Sequence, residues 1–452
     1  MNNPIITAER LARRPVLRQA PLARVANDGG LLKIAPVIIL VLALMMPPEV
    51  RINLAGQTIY AYRMAWLLLT PWVMMRLLRG EIDWRFNDLL VFLGSTWVTF
   101  SFILIYGAET GIPSGAGVTL DLLIPYIIAR LSISNLQDLR RALVALCPAF
   151  LVVAFLMPLE AVLHERFVRD TATAVFGRLG GSEFGMDSAF AVATDTRFGF
   201  LRAMGPFSHP ILAGVFFASL LPLYHWSGLR SWPRICGMVA GSSAIFTFSS
   251  AAILAIFLFL IFAIYDFIKK NVSFLNWQIF IGALSAAGVV AHVLSEKGLI
   301  SVLIRLTFSP ATGYYRLAIW ENGVASVERN PWFGIGYDRF EAYAWMGDSI
   351  DAHFLNIAVR HGLPAAMLIF VSVLIAIFGC AMAASRSKEP DYSLFVGLAV
   401  TMAMLAIVAF SVTYFGGMLI WFMILVGTAS TTQPSKRSKM VLLAPASQKA
   451  GP

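Results

Sequence analysis

The chain has 452 residues, 58% of them hydrophobic and 13% charged, with a mean hydropathy of +0.74. A soluble domain normally carries about 25% charged residues, so an ordinary soluble protein is excluded and a polytopic, all-α membrane protein is expected. The net charge of +10 does not point to nucleic acid: most Lys and Arg sit in short loops beside apolar runs, with no basic helix or aromatic-interleaved patch.

At the N-terminus, Arg10, Arg13, Arg14, Arg18 and Arg24 precede Lys33 and an apolar run that ends at Pro47 and Pro48 without a small-residue cleavage pattern. This predicts a cytoplasmic tail over 1–31 and a retained first span rather than a cleaved signal peptide. Apolar runs of roughly 17–25 residues, some shorter, predict about twelve transmembrane helices within residues 32–430. They fall at 32–46, 59–78, 88–106, 117–131, 139–159, 209–225, 235–248, 251–267, 277–294, 362–384, 393–412 and 416–430, with a second cytoplasmic tail over 431–452. Cys147, Cys236 and Cys380 lie in or beside these runs with no CxxC spacing, so neither a disulfide framework nor a zinc site is expected.

Alternating the connections tests this topology, because Lys and Arg accumulate on the cytoplasmic side of short loops. With the N-terminus inside, the inner loops hold Arg76, Arg79 and Arg85, then Arg130, Arg140 and Arg141, Arg230 and Arg234, Lys269 and Lys270, Arg386 and Lys388, and the tail holds Lys436, Arg437 and Lys439. Arg51 is the exception on the outer side. Two long polar segments, 160–208 and 295–361, then face outward together. The second contains a polar, aromatic-rich island, YYRLAIWENGVASVERNPWFGIGYDRFEAYAWMGDSIDAHFLNIAVRHG, between nearly uncharged runs.

Three pieces of these segments resemble the O-antigen ligase and bacterial polysaccharide polymerase family: Arg202 followed by GPFSHPILAG; Arg316 and Trp320 followed by NPWFGIGYDRF; and His353 in DAHFLNIAVRHG ahead of Gly362. The turn FTFSSAAIL, where many family members have an arginine, reads Ser249, Ser250 and Ala251, and Asp351-Ala352-His353 stands where a His-Asn pair is usual. These departures favour the exopolysaccharide or O-antigen polymerase branch, with ligase as the alternative.

The resemblance implies a membrane glycosyltransferase at the periplasmic face of the bacterial inner membrane. Its substrate would be an undecaprenyl-diphosphate-linked oligosaccharide; membrane lipid, a chain-length regulator and export proteins would be partners. Inversion without a metal or cofactor is implied by the family, and no Asp-x-Asp pair of the kind that holds a nucleotide-sugar metal occurs in the chain.

Such chemistry needs cations for the departing diphosphate and a group to take the acceptor proton. Arg202 and Arg316 are the candidate clamp, because a planar guanidinium gives paired, charge-assisted hydrogen bonds. Against this, Arg316 can pair with Glu321 or Glu328 on a surface helix, and Arg202 can snorkel. His353 is the candidate base, neutral near pH 7, with Asp351 as its rival.

Trp320, one turn beyond Arg316, suits stacking on a sugar or a guanidinium, or an interfacial belt. Asn356 and Arg360 share the His353 face at i+3 and i+7. Arg63, near the outer end of the second span, can touch lipid phosphate or snorkel. His209 and His361 read as helix-end residues. A transporter or lipid-carrier flippase is the competing class, but no internal repeat supports it.

Overall fold

Nearly every apolar run is helical where the computed structural model describes the chain, over residues 30–54, 57–177, 196–272, 274–295 and 310–432. The N-terminal arginines and the Lys436–Lys439 cluster lie outside the described residues. The helices are α1 (Gly30–Leu44), α2 (Ala61–Leu78), α3 (Phe86–Ser132), α4 (Leu136–Leu163), α5 (Phe167–Phe176), α6 (Pro210–His225), α7 (Trp232–Ser242), α8 (Ser250–Asn271), α9 (Trp277–Leu294), α10 (Pro310–Arg329), α11 (His353–His361), α12 (Leu363–Ser385), α13 (Asp391–Val408) and α14 (Gly417–Thr432). The described strands form two hairpins, β1 (Arg51–Leu54) with β2 (Gln57–Tyr60) and β3 (Thr196–Arg197) with β4 (Phe200–Leu201).

The fold is therefore all-α and multi-span, but the expected count of about twelve spans is not met. Five described helices are long and apolar enough to cross a membrane: α3, α4, α8, α12 and α13. Length explains much of the difference. Helices α1, α6 and α14 have 15 or 16 residues, about 23 Å at 1.5 Å per residue, against a hydrocarbon core of about 30 Å. The run at 235–248 divides into α7 and a 3-10 turn, Ser243–Thr247. The runs at 88–106 and 117–131 become the two arms of α3, which breaks at Gly107 with φ +77°.

The arms of α3 fold back on each other because Gly111 and Gly115 leave no side chain between them. A Cβ on Gly111 would sit 2.5 Å from the Phe102 carbonyl oxygen, and one on Gly115 would sit 2.6 Å from Thr99 Cα. Thr99 and Thr119 then hydrogen-bond across the gap at 2.8 Å. Helix α14 packs against α3 with the same economy of size: a Cβ on Gly427 would lie 2.5 Å from the Tyr126 oxygen.

The bundle has two chemically distinct ends. At one, Lys33 pairs with Asp138 at 2.6 Å, Arg130 pairs with Asp88 at 2.7 Å, and Arg140 donates to the Ser227 and Pro390 carbonyls at 3.0 Å each. At the other lie both hairpins, α5, the 3-10 turn, the start of α6, the segment from α10 to α11, and residues 409–416 between α13 and α14.

Candidate functional site

The β3–β4 hairpin carries the first arginines to this second end. Phe198 and Gly199 both have positive φ, 54° and 81°, which matches the twist of a two-residue hairpin turn. Arg197 Nη1 donates to the Phe248 carbonyl at 3.0 Å, and Arg202 Nε donates to the Thr247 carbonyl at 3.2 Å. Two guanidinium groups therefore converge on the turn after the 3-10 helix. Glu160, buried near the end of α4, fixes the following backbone: its Oε2 accepts from Met204 and Gly205 N–H at 3.0 and 2.9 Å.

Helix α10 brings Arg316 to the same place on its buried face, which also includes Ile319, Gly323 and Ser326. Gly323 permits close packing on α11, since a Cβ there would lie 2.7 Å from Leu355 Cδ2. Arg316 is only 5% exposed, and its Nε has no hydrogen-bond partner among the described residues. It does not pair with Glu321 or Glu328, both exposed on other faces. Burial lowers the proton affinity of Arg316; Asp351 raises it and Arg197 lowers it. Asp351, half-buried opposite, is pushed above the ordinary carboxylate range by burial, with Arg316 pulling it back. The structure thus brings Asp351 and Arg197 each within electrostatic reach of Arg316, while Arg202 binds the 3-10 turn next to the Arg197 contact.

His353 opens α11, with its backbone N–H bound to the Ala409 carbonyl at 2.7 Å. Its ring is 3% exposed and is surrounded by Tyr414, Phe354 and Phe422 at centroid distances of 5.2, 5.6 and 6.0 Å. Neither ring nitrogen has a hydrogen-bond partner among the described residues. Burial lowers its pKa to about 3. The ring is therefore neutral at pH 7, as expected, and burial disfavours the protonated form that a base passes through.

The remaining candidates occupy other positions. Trp320 turns toward the 409–416 segment, donating to the Phe410 carbonyl at 3.0 Å and stacking on its ring at 6.1 Å. Arg360 rivets the loop before α11, donating to the Gly336, Asp338 and Asp348 carbonyls at 3.0, 2.7 and 3.2 Å. Asn356 is half-buried on α11. Arg63 is gripped by Asp121 at 2.6 Å, and Trp66 donates to the same carboxylate at 3.2 Å. His209 caps α6, its Nδ1 accepting from Ile211 N–H at 3.1 Å, and His361 is buried beside Phe102 at 5.1 Å.

Arg197, Glu160 and Asp121 escaped the sequence reading. A signal existed for the first: the Phe-Gly pair in TRFGFL, between extended flanks, is a hairpin pattern. Glu160 and Asp121 had no local signal, because their partners lie tens of residues away. Among the described residues, no three His, Cys, Asp and Glu side chains gather so as to hold a metal ion.

Comparison with known proteins bears on this end of the bundle. The O-antigen ligase family model matches residues 235–370, a region that runs from α7 into α12 and includes Arg316, Asp351 and His353. No curated protein matches the chain. The resemblance carried by the island's motifs is thereby supported across its surroundings: residues 235–370 of this multi-pass membrane protein are similar to the O-antigen ligase family.

Proposed function

We propose that the chain is a membrane glycosyltransferase that moves a saccharide from an undecaprenyl-diphosphate carrier to an acceptor hydroxyl. The observation that carries this reading is the convergence of buried Arg316 with Asp351 and Arg197, at the end of the bundle where Arg202 also lies. In the proposed step, Asp351 takes the acceptor proton as the acceptor oxygen attacks the anomeric carbon. The carbon–oxygen bond to phosphate breaks, and the diphosphate lipid leaves with the electron pair. One displacement inverts the anomeric centre.

Arg316, Arg202 and Arg197 act on the leaving group, where negative charge grows as the bond breaks. Preorganised donors in a poorly hydrated site are most effective at that moment. His353 sits on the acceptor side as a neutral hydrogen-bonding group. A buried polar group without a partner costs about 1–3 kcal/mol, and bonding the acceptor hydroxyl would relieve that cost.

Orientation follows from charge. Lys33, Arg76, Arg85, Arg130, Arg140, Lys269 and Arg386 lie at the end opposite the site, which supports a cytoplasmic assignment for that end and a periplasmic one for the site. A cysteine at Ser349, which is exposed, in a background without the three native cysteines, should react with an impermeant thiol reagent on intact spheroplasts. Labelling only after lysis would contradict this orientation. Ser182, a second suitable position, lies outside the described residues.

The sequence departures favour a polymerase, but the matched family is described as O-antigen ligase, which supports transfer of a finished glycan more directly. Lipid-linked intermediates in a strain lacking the protein separate the two. Long lipid-linked chains that never reach an acceptor are the result expected for a ligase. Single repeat units on the carrier would instead assign the polymerase reaction, and unchanged intermediates would overturn both.

A further inference from the structure

Between α10 and α11 the loop builds a row of exposed aromatic rings that the transfer chemistry does not use. Tyr343 and Trp345 are nearly parallel, 8° apart with centroids 5.9 Å apart; Tyr314, on α10, lies 6.4 Å from Trp345 at 17°. All three are about half exposed or more, at 49%, 59% and 64%. Large apolar rings left facing solvent in a contiguous group mark a binding surface.

The row is held in shape. Tyr315 meets the edge of Trp345 at 6.0 Å, and its hydroxyl accepts from Gly347 N–H at 3.2 Å. Arg339 pairs with Asp348 at 3.0 Å while donating to the Met346 carbonyl, also at 3.0 Å. The rings thus stand on a pinned loop with a charged, hydrogen-bonding pair beside them. A pyranose presents that same combination, an apolar C–H face with hydroxyls around its rim. A lipid tail offers no partner for the Arg339–Asp348 pair.

We infer that Tyr314, Tyr343 and Trp345 form a saccharide-binding platform that holds the glycan chain while its end reacts at Arg316 and Asp351. This deepens the proposed function and rests on it for the identity of the chain being held. Position supports the inference. Tyr314 and Arg316 are two residues apart on α10 and face opposite ways, one exposed and one buried. They therefore share one turn of α10, which puts the platform at the same level of the helix as Arg316.

The test uses full-length protein in nanodiscs. Cellohexaose, whose β-linked chain presents C–H faces on both sides, is the binding probe, and isothermal titration calorimetry is the readout. Trp345→Ala should weaken binding about tenfold or more, the scale of one lost aromatic contact, and Trp345→Phe should recover part of it. Arg316→Ala should leave binding intact, so the platform is tested even if the transfer reading fails. In a transfer assay, Trp345→Ala should raise KM while kcat stays within about twofold of wild type. Equal responses from wild type and Trp345→Ala, including no response from either, would overturn the platform. So would brominated-lipid quenching of the Trp345 emission, taken as wild type minus Trp345→Phe, which would make the row an interfacial belt.

Discussion

At the charged end of the bundle, Asp88 accepts from Arg130 at 2.7 and 2.8 Å, from the Tyr126 hydroxyl at 2.6 Å and from the Arg85 backbone N–H at 2.6 Å. At the other end, Arg316 and His353 are as deeply buried as that pair, yet Arg316 Nε and both His353 ring nitrogens find no hydrogen-bond partner among the described residues. The first arrangement meets the needs of two buried charges and joins the arms of α3. The second leaves Arg316 Nε and both His353 nitrogens without a partner among the described residues, a cost that a bound ligand with matching groups would offset. The contrast sets residues that hold the protein together against those proposed to act.

Asp88→Ala should produce the largest change in stability. It leaves Arg130 buried without its counter-ion, a loss of about 3–5 kcal/mol. The thermal midpoint of purified protein and the amount inserted should both fall, while surviving molecules transfer at a near-normal rate. An Asp88→Ala protein as stable as wild type would erase the contrast from the structural side. Asp351→Asn should do the reverse, lowering transfer per molecule about 10²–10⁴-fold with no loss of thermal stability. A stable variant with near-normal turnover would remove Asp351 as the base.

The pH dependence sharpens the same comparison. Burial raises the Asp351 pKa, so the acid limb of the rate profile should lie above the ordinary carboxylate range. It should move higher still in Arg316→Gln, which removes the cation favouring the carboxylate. A limb unmoved by that change would separate the two groups. His353 and His361, held near pKa 3, affect stability instead. The unfolded chain takes up protons near pH 6.5 while the folded one does not, so their contribution is present above about 6.5 and is lost as pH falls toward 3.

The smallest effect is expected at His353. His353→Phe keeps the packing against Tyr414 and Phe422 but removes both nitrogens, so KM for the acceptor should rise by about tenfold, one hydrogen bond's worth. A loss on the Asp351→Asn scale would return His353 to the role of base.

Local chemistry was legible in the sequence. The run at 277–294 is helix α9 with the same bounds, the His209-Pro210 pair caps α6, and the glycines of NPWFGIG adopt φ of +70° and +62° at Gly334 and Gly336. A Cβ at Gly334 would lie 2.5 Å from the Val359 oxygen, so glycine there reports a close approach. Long-range pairing was not legible. Arg63 read as a snorkelling residue or a lipid-phosphate contact because Asp121, 58 residues on, shows its partnership only once α2 lies beside α3. Arg197 looked like any loop arginine until the hairpin set it against Phe248. The span count failed for a different reason: apolar composition marks what is buried, and several of these helices are too short by themselves to cross a bilayer.

The proposed transfer depends most on Arg316. Its most direct test is transfer per unit of inserted protein for wild type, Arg316→Ala and Arg316→Lys, with chelator present throughout. Loss of one preorganised donor to the leaving group should slow Arg316→Ala by about 100-fold or more, about 3 kcal/mol, at normal protein level. Lys restores the charge without the fork and should recover only part of the rate. Wild-type turnover in Arg316→Ala, or a loss that simply follows the amount of inserted protein, would contradict the assignment of this end of the bundle as the site of transfer.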